Sequence, residues 1–270
     1  GLKPVVLAGA APGGQAIESP EIENYPGVGR TDGYTLAARM LSSATEFGAE
    51  IVYETALKIS LAEKRVTTES GEYFYKYLIL ATGASHRKLG IDGEEKYIGK
   101  GVGYCATCDG GFYRGKDVAV VGGGDSALTE ALYLSKIAKS VTLVHRRNEY
   151  RASVSLVNRV LSEPKIKRIT GVITALSGEE KLCGIEVATL PSGIQNIAVD
   201  ALFVAIGGIP NTELVKDQLE LDKNGYVVTN ASMQTSVPGV YAAGDVRNTP
   251  LRQIVTACAD GAVAAQALAE

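Results

Sequence analysis

The chain has 270 residues and a formal net charge of -3, and 46% of its residues are hydrophobic. This length suffices for two domains with buried cores, while a pI near 5.6 without a basic stripe argues against a nucleic-acid-binding protein. No apolar run approaches the roughly 20 residues of a membrane span, and the 4 cysteines are too few for a disulfide scaffold, which predicts a cytoplasmic protein.

The first third of the sequence alternates between short strand patterns and glycine-rich turns. An amphipathic helix is predicted over 35–47, because apolar residues recur there at helical spacing up to Gly48. The patterns at 50–53, 55–61, 65–68 and 72–74 predict a small antiparallel meander. Apolar strands are predicted at 5–8 and 77–82, with turns at 11–15 and 23–27. We expect a domain boundary near His86.

Cys105 and Cys108 stand at C-x-x-C spacing, which allows a small disulfide ring to close and reopen. A first-turn helical setting would lower the thiol pKa into the reactive range. Asp109 follows directly and adds a carboxyl group that can move a proton as the sulfurs change state. A structural zinc half-site and a static disulfide are the alternatives, although a closed zinc site needs about four Cys or His ligands. The pattern favours redox chemistry.

A dinucleotide-binding pattern follows the cysteines. A strand at 117–121 leads into Gly122-Gly123-Gly124-Asp125-Ser126-Ala127, and a helix over 128–138 and a strand at 141–145 come next. Gly122-x-Gly124-x-x-Ala127 therefore lies where a strand ends and a helix begins. Backbone amides and the positive end of the helix dipole can hold a pyrophosphate there.

The residues after the second strand of this unit indicate which nicotinamide cofactor is used. An NAD site would place an acidic residue at this point, whereas the sequence reads His145-Arg146-Arg147, with Arg151 shortly after. Two adjacent guanidinium groups fit a 2'-phosphate, so the cofactor is predicted to be NADPH. The alternative interpretation is a solvated charge cluster.

The last third of the sequence returns to short strands and ends in a helix. Strand patterns at 169–176, 182–190 and 197–205 predict an antiparallel meander over one face of a sheet, and a strand at 200–206 precedes the second domain boundary. A further strand ends at Gly244-Asp245, and Arg252-Gln253-Ile254 opens an Ala-rich helix to the C-terminus. A carboxylate that follows a strand and a glycine can accept hydrogen bonds from a ribose or a ribityl chain. Taken alone, however, Gly244-Asp245 is also typical of a plain turn, which is the alternative interpretation.

Taken together, these motifs resemble those of the low-molecular-weight, bacterial-type thioredoxin reductases. The resemblance covers the whole chain in the family's order. The motifs that carry it are Pro12-Gly13-Gly14-Gln15, Glu23-Asn24-Tyr25-Pro26-Gly27, Ala81-Thr82-Gly83-Ala84, Cys105-Ala106-Thr107-Cys108-Asp109-Gly110, Gly122-Gly123-Gly124-Asp125-Ser126-Ala127, His145-Arg146-Arg147, Gly244-Asp245 and Arg252-Gln253-Ile254.

The resemblance implies an α/β fold with two doubly wound, Rossmann-like dinucleotide-binding domains and a homodimeric FAD enzyme. An NADPH domain (87–212) carrying the C-x-x-C motif is inserted into an FAD domain built from 1–86 and 213–270. Cys108 would face the flavin, Cys105 would attack the thioredoxin disulfide, and Asp109 would donate the proton.

The resemblance also implies two sets of cofactor-binding residues. The FAD set is Gly14, Gln15, Asn24, Ala81, Gly83, Gly244, Asp245, Arg252, Gln253 and Ile254. The NADPH set is Gly122, Gly124, Asp125, Ser126, Ala127, His145, Arg146, Arg147 and Arg151.

One departure from the family pattern concerns the start of the chain. The family normally opens with a strand, its own Gly-x-Gly-x-x-Gly turn and a helix that seat the FAD pyrophosphate, and residues 1 to 270 do not supply them. We therefore expect the first βα unit of the FAD domain to be missing and FAD to be held weakly. Two alternatives stay open: a reductase of a peroxiredoxin-type or other dithiol partner, and a non-catalytic, NADPH-binding fragment.

Overall fold

The computed structural model describes residues 3–10, 12–19, 22–189 and 193–269. The chain forms two compact units. One comprises Gly1–Ser85 together with Ile209–Glu270, and the other comprises His86–Gly208. Assigning these units to two different cofactors remains a prediction.

The first unit begins with short strands around one long helix. The elements before the first unit boundary are β1 (Val5–Leu7), α1 (Gly33–Glu46), β2 (Glu50–Val52), β3 (Lys58–Ser60), β4 (Arg65–Thr67), β5 (Glu72–Phe74), β6 (Leu78–Leu80) and β7 (Ala84–His86). Asp32 caps α1, because its carboxylate accepts the Thr35 N–H at 2.8 Å. Strands β3, β4 and β5 form an antiparallel meander, as predicted. The predicted strand at 50–53 is not part of this meander, because β2 pairs in parallel with β1.

The second unit carries a parallel sheet. Its elements are β8 (Val102–Gly103), α2 (Ala106–Asp109), β9 (Asp117–Val121), α3 (Asp125–Ser135), β10 (Ser140–His145), α4 (Val154–Ser162), β11 (Ile166–Thr170), β12 (Val172–Ser177), β13 (Gly184–Thr189), β14 (Gly193–Ala198) and β15 (Ala201–Val204). The parallel strands run in the order β11-β10-β9-β15-β8. This order is that of a doubly wound sheet: the chain runs from β9 through β10 to β11 and then returns to β15, on the other side of β9.

Alternate residues of the central strands pack on opposite faces of this sheet. Val118 and Val120 point to the face covered by α3, whereas Ala119 and Val121 point to the face covered by β12, β13 and β14. These three strands form an antiparallel sheet, as the sequence predicted. Because both faces are covered, β9 and β15 are almost entirely apolar and buried.

Two strand predictions in this unit were wrong in extent. The pattern at 169–176 spans the end of β11 and most of β12, and the break falls at Gly171, where a Cβ atom would lie 2.6 Å from the Ala188 carbonyl oxygen. The pattern at 197–205 likewise spans the end of β14 and all of β15, which belong to different sheets. Alternation has the same period in both sheets, so it does not reveal where the chain changes sheet. Helix α4 was not predicted.

The chain returns to the first unit through β16 (Gly208–Pro210), and β17 (Val240–Ala242) and α5 (Ile254–Ala269) complete that unit. Strand β17 pairs in parallel with β6, and the core beneath them includes the fully buried Val227, Ala242 and Val246. Among the described residues, no helix is both long and apolar enough to span a bilayer.

Candidate disulfide and dinucleotide sites

Cys105 and Cys108 form a disulfide at the start of α2, with their Cα atoms 5.3 Å apart. Cys105 is the N-cap residue of α2, and its Sγ accepts a hydrogen bond from the Cys108 N–H at 3.2 Å. The expected first-turn helical setting is therefore confirmed. Within the described ranges, no three His, Cys, Asp or Glu side chains are grouped so that they could hold a metal ion.

Asp109 closes α2 with a carboxyl group turned into the protein. Its Oδ1 atom is buried and has no hydrogen-bond partner among the described residues. Its Oδ2 atom lies 3.1 Å from the point that a Cβ on Gly103 would occupy. Burial raises the pKa of Asp109 to about 6. This carboxyl group can therefore hold and release a proton close to neutral pH, as a proton donor beside a dithiol requires.

The glycine-rich loop between β9 and α3 leaves room for a ligand at only one of its glycines. A Cβ on Gly122 (φ 152°) would lie 2.3 Å from the Ala205 carbonyl oxygen, and one on Gly123 would lie 2.2 Å from the His145 ring. Around Gly124, by contrast, no heavy atom lies within 4 Å of that point. Gly124 is the N-cap of α3 and offers no side-chain cap, so the first N–H groups of this helix are left for another acceptor.

His145 lies beneath this loop and is only 7% exposed. Its ring stacks on Tyr150 with centroids 5.4 Å apart, and Nε2 lies 3.2 Å from the Glu149 carbonyl oxygen. Burial, together with the charges of nearby arginines, lowers the pKa of His145. Its observed contacts are therefore those of a neutral ring that supports Gly123. A direct contact of His145 with NADPH remains a prediction.

The three arginines after β10 are exposed side chains. Among the described residues, Arg146, Arg147 and Arg151 form no ion pair with a carboxylate. The backbone N–H of Arg151 donates to the Gly123 carbonyl oxygen at 2.8 Å and so ties this segment to the glycine-rich loop. Asp125, at the start of α3, is held by the Ser153 N–H at 2.9 Å. Exposed cations on a segment that is tied to the glycine-rich loop fit the 2'-phosphate of NADPH.

In the first unit, a buried ion pair holds the Gly244-Asp245 turn in place. Gly244 (φ 75°) donates its N–H to Asp260 Oδ2 at 3.0 Å, and Arg247 donates to both oxygens of the same carboxylate at 2.6 and 2.8 Å. The two side chains of this pair are 14% and 10% exposed. Burial raises the pKa of Asp245, while the positive charge of Arg252 acts against this shift.

Other predicted flavin-site residues of the first unit are brought together from distant parts of the sequence. Asn24 Nδ2 donates to Gln253 Oε1 at 2.9 Å, across a separation of 229 residues. The Arg252 guanidinium lies 4.0 Å from the centroid of the Tyr226 ring, and its Nε atom is buried with no partner among the described residues. The Arg252 Nη2 atom donates to the Arg247 carbonyl oxygen at 3.4 Å, so Nε is the buried atom left for a negatively charged or polar cofactor group.

The remaining flavin candidates occupy turns and element ends. Gly14 and Gly83 both have positive φ, and no protein atom lies within 4 Å of the Cβ that either would carry. Gln15 and Ala81 are exposed, and Ile254 is the first residue of α5. Ala11, in the predicted first turn, lies outside the described residues.

Sequence reasoning missed three charged residues that the structure places at these sites. Arg247 and Asp260 hold the Gly244 turn, and Glu130 of α3 has a buried, unpartnered Oε2 atom. A charge surrounded by apolar residues within a helix is the pattern that would have indicated Asp260 and Glu130. Cys258 of α5 is an exposed, free cysteine, and the Tyr25 hydroxyl lies 3.8 Å from its Sγ.

Comparison with known proteins gives the same picture over nearly the full length. The family model described as pyridine nucleotide-disulphide oxidoreductase matches residues 1–261. A thioredoxin reductase of Treponema pallidum (strain Nichols) is 43% identical over 273 residues, which cover 99% of this chain and 89% of the relative.

Solved structures agree with this comparison. The crystal structure of thioredoxin reductase from Streptococcus pyogenes MGAS5005 is similar with a TM-score of 0.89 and 40% identity, covering 98% of this chain and 88% of that one. Thioredoxin reductase from Giardia duodenalis has a TM-score of 0.91 and 35% identity, with 100% and 92% covered. The fold, the Cys105–Cys108 disulfide and these relatives show that the chain belongs to the pyridine nucleotide-disulphide oxidoreductase family and, within it, to the thioredoxin reductases.

Proposed function

We propose that this chain transfers two electrons from NADPH, through FAD and the Cys105/Cys108 pair, to the disulfide of a thioredoxin. The observation that carries the proposal is the Cys105–Cys108 disulfide with Asp109 beside it, in the same unit as the dinucleotide loop. We further propose that the enzyme is cytoplasmic and acts as a homodimer, in line with the resemblance of its motifs.

The chemistry assigned to the chain's own residues begins with a reduced Cys105/Cys108 pair. The Cys105 thiolate attacks one sulfur of the acceptor disulfide, and the other acceptor sulfur leaves as a thiolate. Cys108 then attacks Cys105 in the mixed disulfide, which reforms the Cys105–Cys108 bond and releases the reduced acceptor. Asp109, whose pKa is raised to about 6 by burial, gives a proton to a departing thiolate and is reprotonated later.

FAD is assigned to the first unit. The residues that would hold it include Asn24, Gly83, Asp245 and Arg252. The open space at Gly14 and Gly83 and the buried Arg252 Nε atom support this assignment. When bound, a flavin accepts a hydride from NADPH and supplies two electrons for the reduction of a disulfide. Arg247 and Asp260 would keep the Gly244 turn in position for it.

NADPH is assigned to the second unit, with its pyrophosphate at the N–H groups after Gly124 and its 2'-phosphate at Arg146, Arg147 and Arg151. Replacing both Arg146 and Arg147 by alanine is expected to raise the KM for NADPH by roughly 10- to 100-fold, because charge-assisted hydrogen bonds to phosphate are lost. Steady-state kinetics with NADPH and NADH measure the effect, since NADH lacks the 2'-phosphate and its KM should not rise.

The matched control for this double variant is Arg159→Ala, which removes an exposed arginine of α4 in the same unit. This variant should leave both KM values unchanged. Equal increases for NADPH and NADH in the double variant would contradict the assignment of the two arginines to the 2'-phosphate.

The whole proposal predicts a spectroscopic result. Because FAD is expected to be held weakly, the purified protein is first incubated with FAD, and it should then show a flavin absorption band that bleaches when NADPH is added and returns when an oxidised thioredoxin follows. Return of the band with an oxidised peroxiredoxin-type protein, but not with thioredoxin, would replace the proposed partner. A colourless protein that still binds NADPH would contradict the assignment of FAD.

A further inference from the structure

Glu94 is a buried carboxyl group of the second unit that no step of the proposed reaction uses. The residue is only 2% exposed, and it is the N-cap of the short 3₁₀-helix Glu95–Tyr97. Its Oε1 atom accepts the Leu89 N–H at 3.0 Å and the Tyr104 hydroxyl at 2.9 Å, and its Oε2 atom accepts the Gly90 N–H at 2.9 Å. These three donors offset the cost of burying the carboxyl group, and they tie the segment 89–90 to Tyr104.

Tyr104, which donates one of these hydrogen bonds, is the residue directly before Cys105. Its ring stacks on the His86 ring, with centroids 4.8 Å apart and planes at 9° to each other, and it packs against the core cluster that contains Val102 and Leu202. The hydroxyl group and the ring of Tyr104 are therefore held by different neighbours. Replacing this tyrosine by phenylalanine removes the hydroxyl contact and leaves the ring that stacks.

Only two residues, Tyr104 and Cys105, connect the parallel sheet to helix α2. Strand β8 ends at Gly103, which pairs with β15, and α2 begins at Ala106, which is completely buried. The backbone of Cys105 therefore lies between two held points. On one side are the sheet and the hydrogen bond from Tyr104 to Glu94, and on the other side is the buried first residue of α2.

This anchoring of Tyr104 has its largest effect once the disulfide has opened. In the oxidised protein, the Cys105–Cys108 bond itself restrains Cys105, so a second restraint removes little further freedom. In the dithiol the covalent restraint is gone, and loss of a non-covalent one lets Cys105 occupy more conformations. A looser dithiol closes less readily, because the two sulfurs meet less often in the geometry that forms the bond.

Building on the proposed function, on which this inference rests, we propose that Glu94 is a positioning residue for the dithiol reaction: it acts through the Tyr104 hydroxyl and keeps the two reduced cysteines within reach of each other. The step affected is the attack of the Cys108 thiolate on Cys105 in the mixed disulfide. The bond between Cys105 and the acceptor sulfur breaks, the Cys105–Cys108 bond forms, and the acceptor sulfur leaves as a thiolate that takes its proton from Asp109. The dithiol is oxidised and the acceptor disulfide is reduced by the same two electrons.

Tyr104→Phe tests this proposal through the equilibrium of the cysteine pair with reduced and oxidised glutathione at pH 7. Samples are quenched with acid and then alkylated, and trypsin releases both cysteines in the single peptide 101–114, because it cleaves after Lys100 and Arg114. Mass spectrometry of this peptide gives the ratio of disulfide to dithiol. The measurement needs neither NADPH nor thioredoxin, so it distinguishes a failure of this proposal from a failure of the proposed electron transfer.

The effective concentration of one thiol at the other, which this equilibrium gives, is expected to fall by about 3- to 10-fold in Tyr104→Phe. Tyr97→Phe is the matched control, because the buried Tyr97 of the same unit donates its hydroxyl to the Gly178 carbonyl oxygen at 2.7 Å, in the turn after β12. Both variants lose a hydrogen bond and should unfold at a lower urea concentration. Tyr97→Phe, however, should keep the wild-type effective concentration.

Three results would overturn the proposal. If Tyr104→Phe keeps the wild-type effective concentration, or if Tyr97→Phe lowers it equally, the bond between Glu94 and Tyr104 only stabilises the fold. In a Glu94→Ala background, Tyr104→Phe should have no further effect, because the partner of the hydroxyl is gone. A decrease that persists there would mean that the hydroxyl acts through a different group. Circular dichroism establishes that each variant is folded, and the two tyrosine variants decide the question even if Glu94→Ala does not fold.

Discussion

Replacing Cys108 by serine is expected to lower NADPH-dependent reduction of an oxidised thioredoxin by at least about 10³-fold. A single sulfur cannot store two electrons as a dithiol, and a serine hydroxyl cannot form the disulfide that the structure shows between Cys105 and Cys108. The measurement is the rate of NADPH oxidation with thioredoxin as the acceptor. NADPH binding, followed by fluorescence titration, should be unchanged because the glycine-rich loop is intact.

Cys183→Ser is the matched control for this variant. Cys183 is a free, exposed cysteine of the same unit, and it takes no part in the disulfide. The control should retain the full rate. More than about a tenth of the wild-type rate in Cys108→Ser would contradict the assignment of the redox centre to this pair.

Gly122→Ala and Gly124→Ala are expected to change different properties: the first variant should lose stability, and the second should bind NADPH more weakly. Gly122→Ala should lower the free energy of unfolding by about 3 kcal/mol, because the residue has φ 152° and its new methyl group would lie 2.3 Å from the Ala205 carbonyl oxygen. Gly124→Ala should leave stability within about 0.5 kcal/mol of wild type, because no protein atom lies within 4 Å of its new methyl group.

The second variant should instead affect the ligand. A methyl group at Gly124 projects into the space before the first N–H groups of α3, so we expect the Kd for NADPH to rise by at least about 10-fold. Urea unfolding and fluorescence titration of both variants separate the two effects. Equal loss of stability in both, or unchanged NADPH affinity in Gly124→Ala, would contradict a phosphate site at this loop.

Local patterns in the sequence were sufficient for much of the fold. The apolar alternation of β9 and β10 and the glycine spacing between β9 and α3 depend only on residues a few positions apart, and the structure has the strand, turn and helix that they predict. The C-x-x-C spacing also depends on neighbours alone, and the disulfide closes across it. The helix predicted over 35–47 is present as α1, which begins two residues earlier because Asp32 caps it.

Other features depended on which distant segments pack together. The same alternating pattern serves β14 in an antiparallel sheet and β15 in a parallel one, so only the packing decides where the chain changes sheet. The resemblance implies that His145 contacts NADPH, which remains a prediction, and the structure adds that its ring lies beneath Gly123 and that the residue is 7% exposed. A residue's place after a strand does not reveal whether its side chain turns toward the ligand or into the core.

The sequence by itself determined the chemistry that this protein has available: a C-x-x-C pair with an adjacent carboxyl group, a dinucleotide loop and an arginine pair, all set by short-range spacing. Only the tertiary structure decided the electrostatic surroundings of those groups. Glu130 and Asp109 are buried near each other because α2 packs on α3, and Asp260 reaches the Gly244 turn because α5 packs there. Burial and charge coupling arise between segments that are distant in sequence, and they set the pKa values on which proton transfer depends.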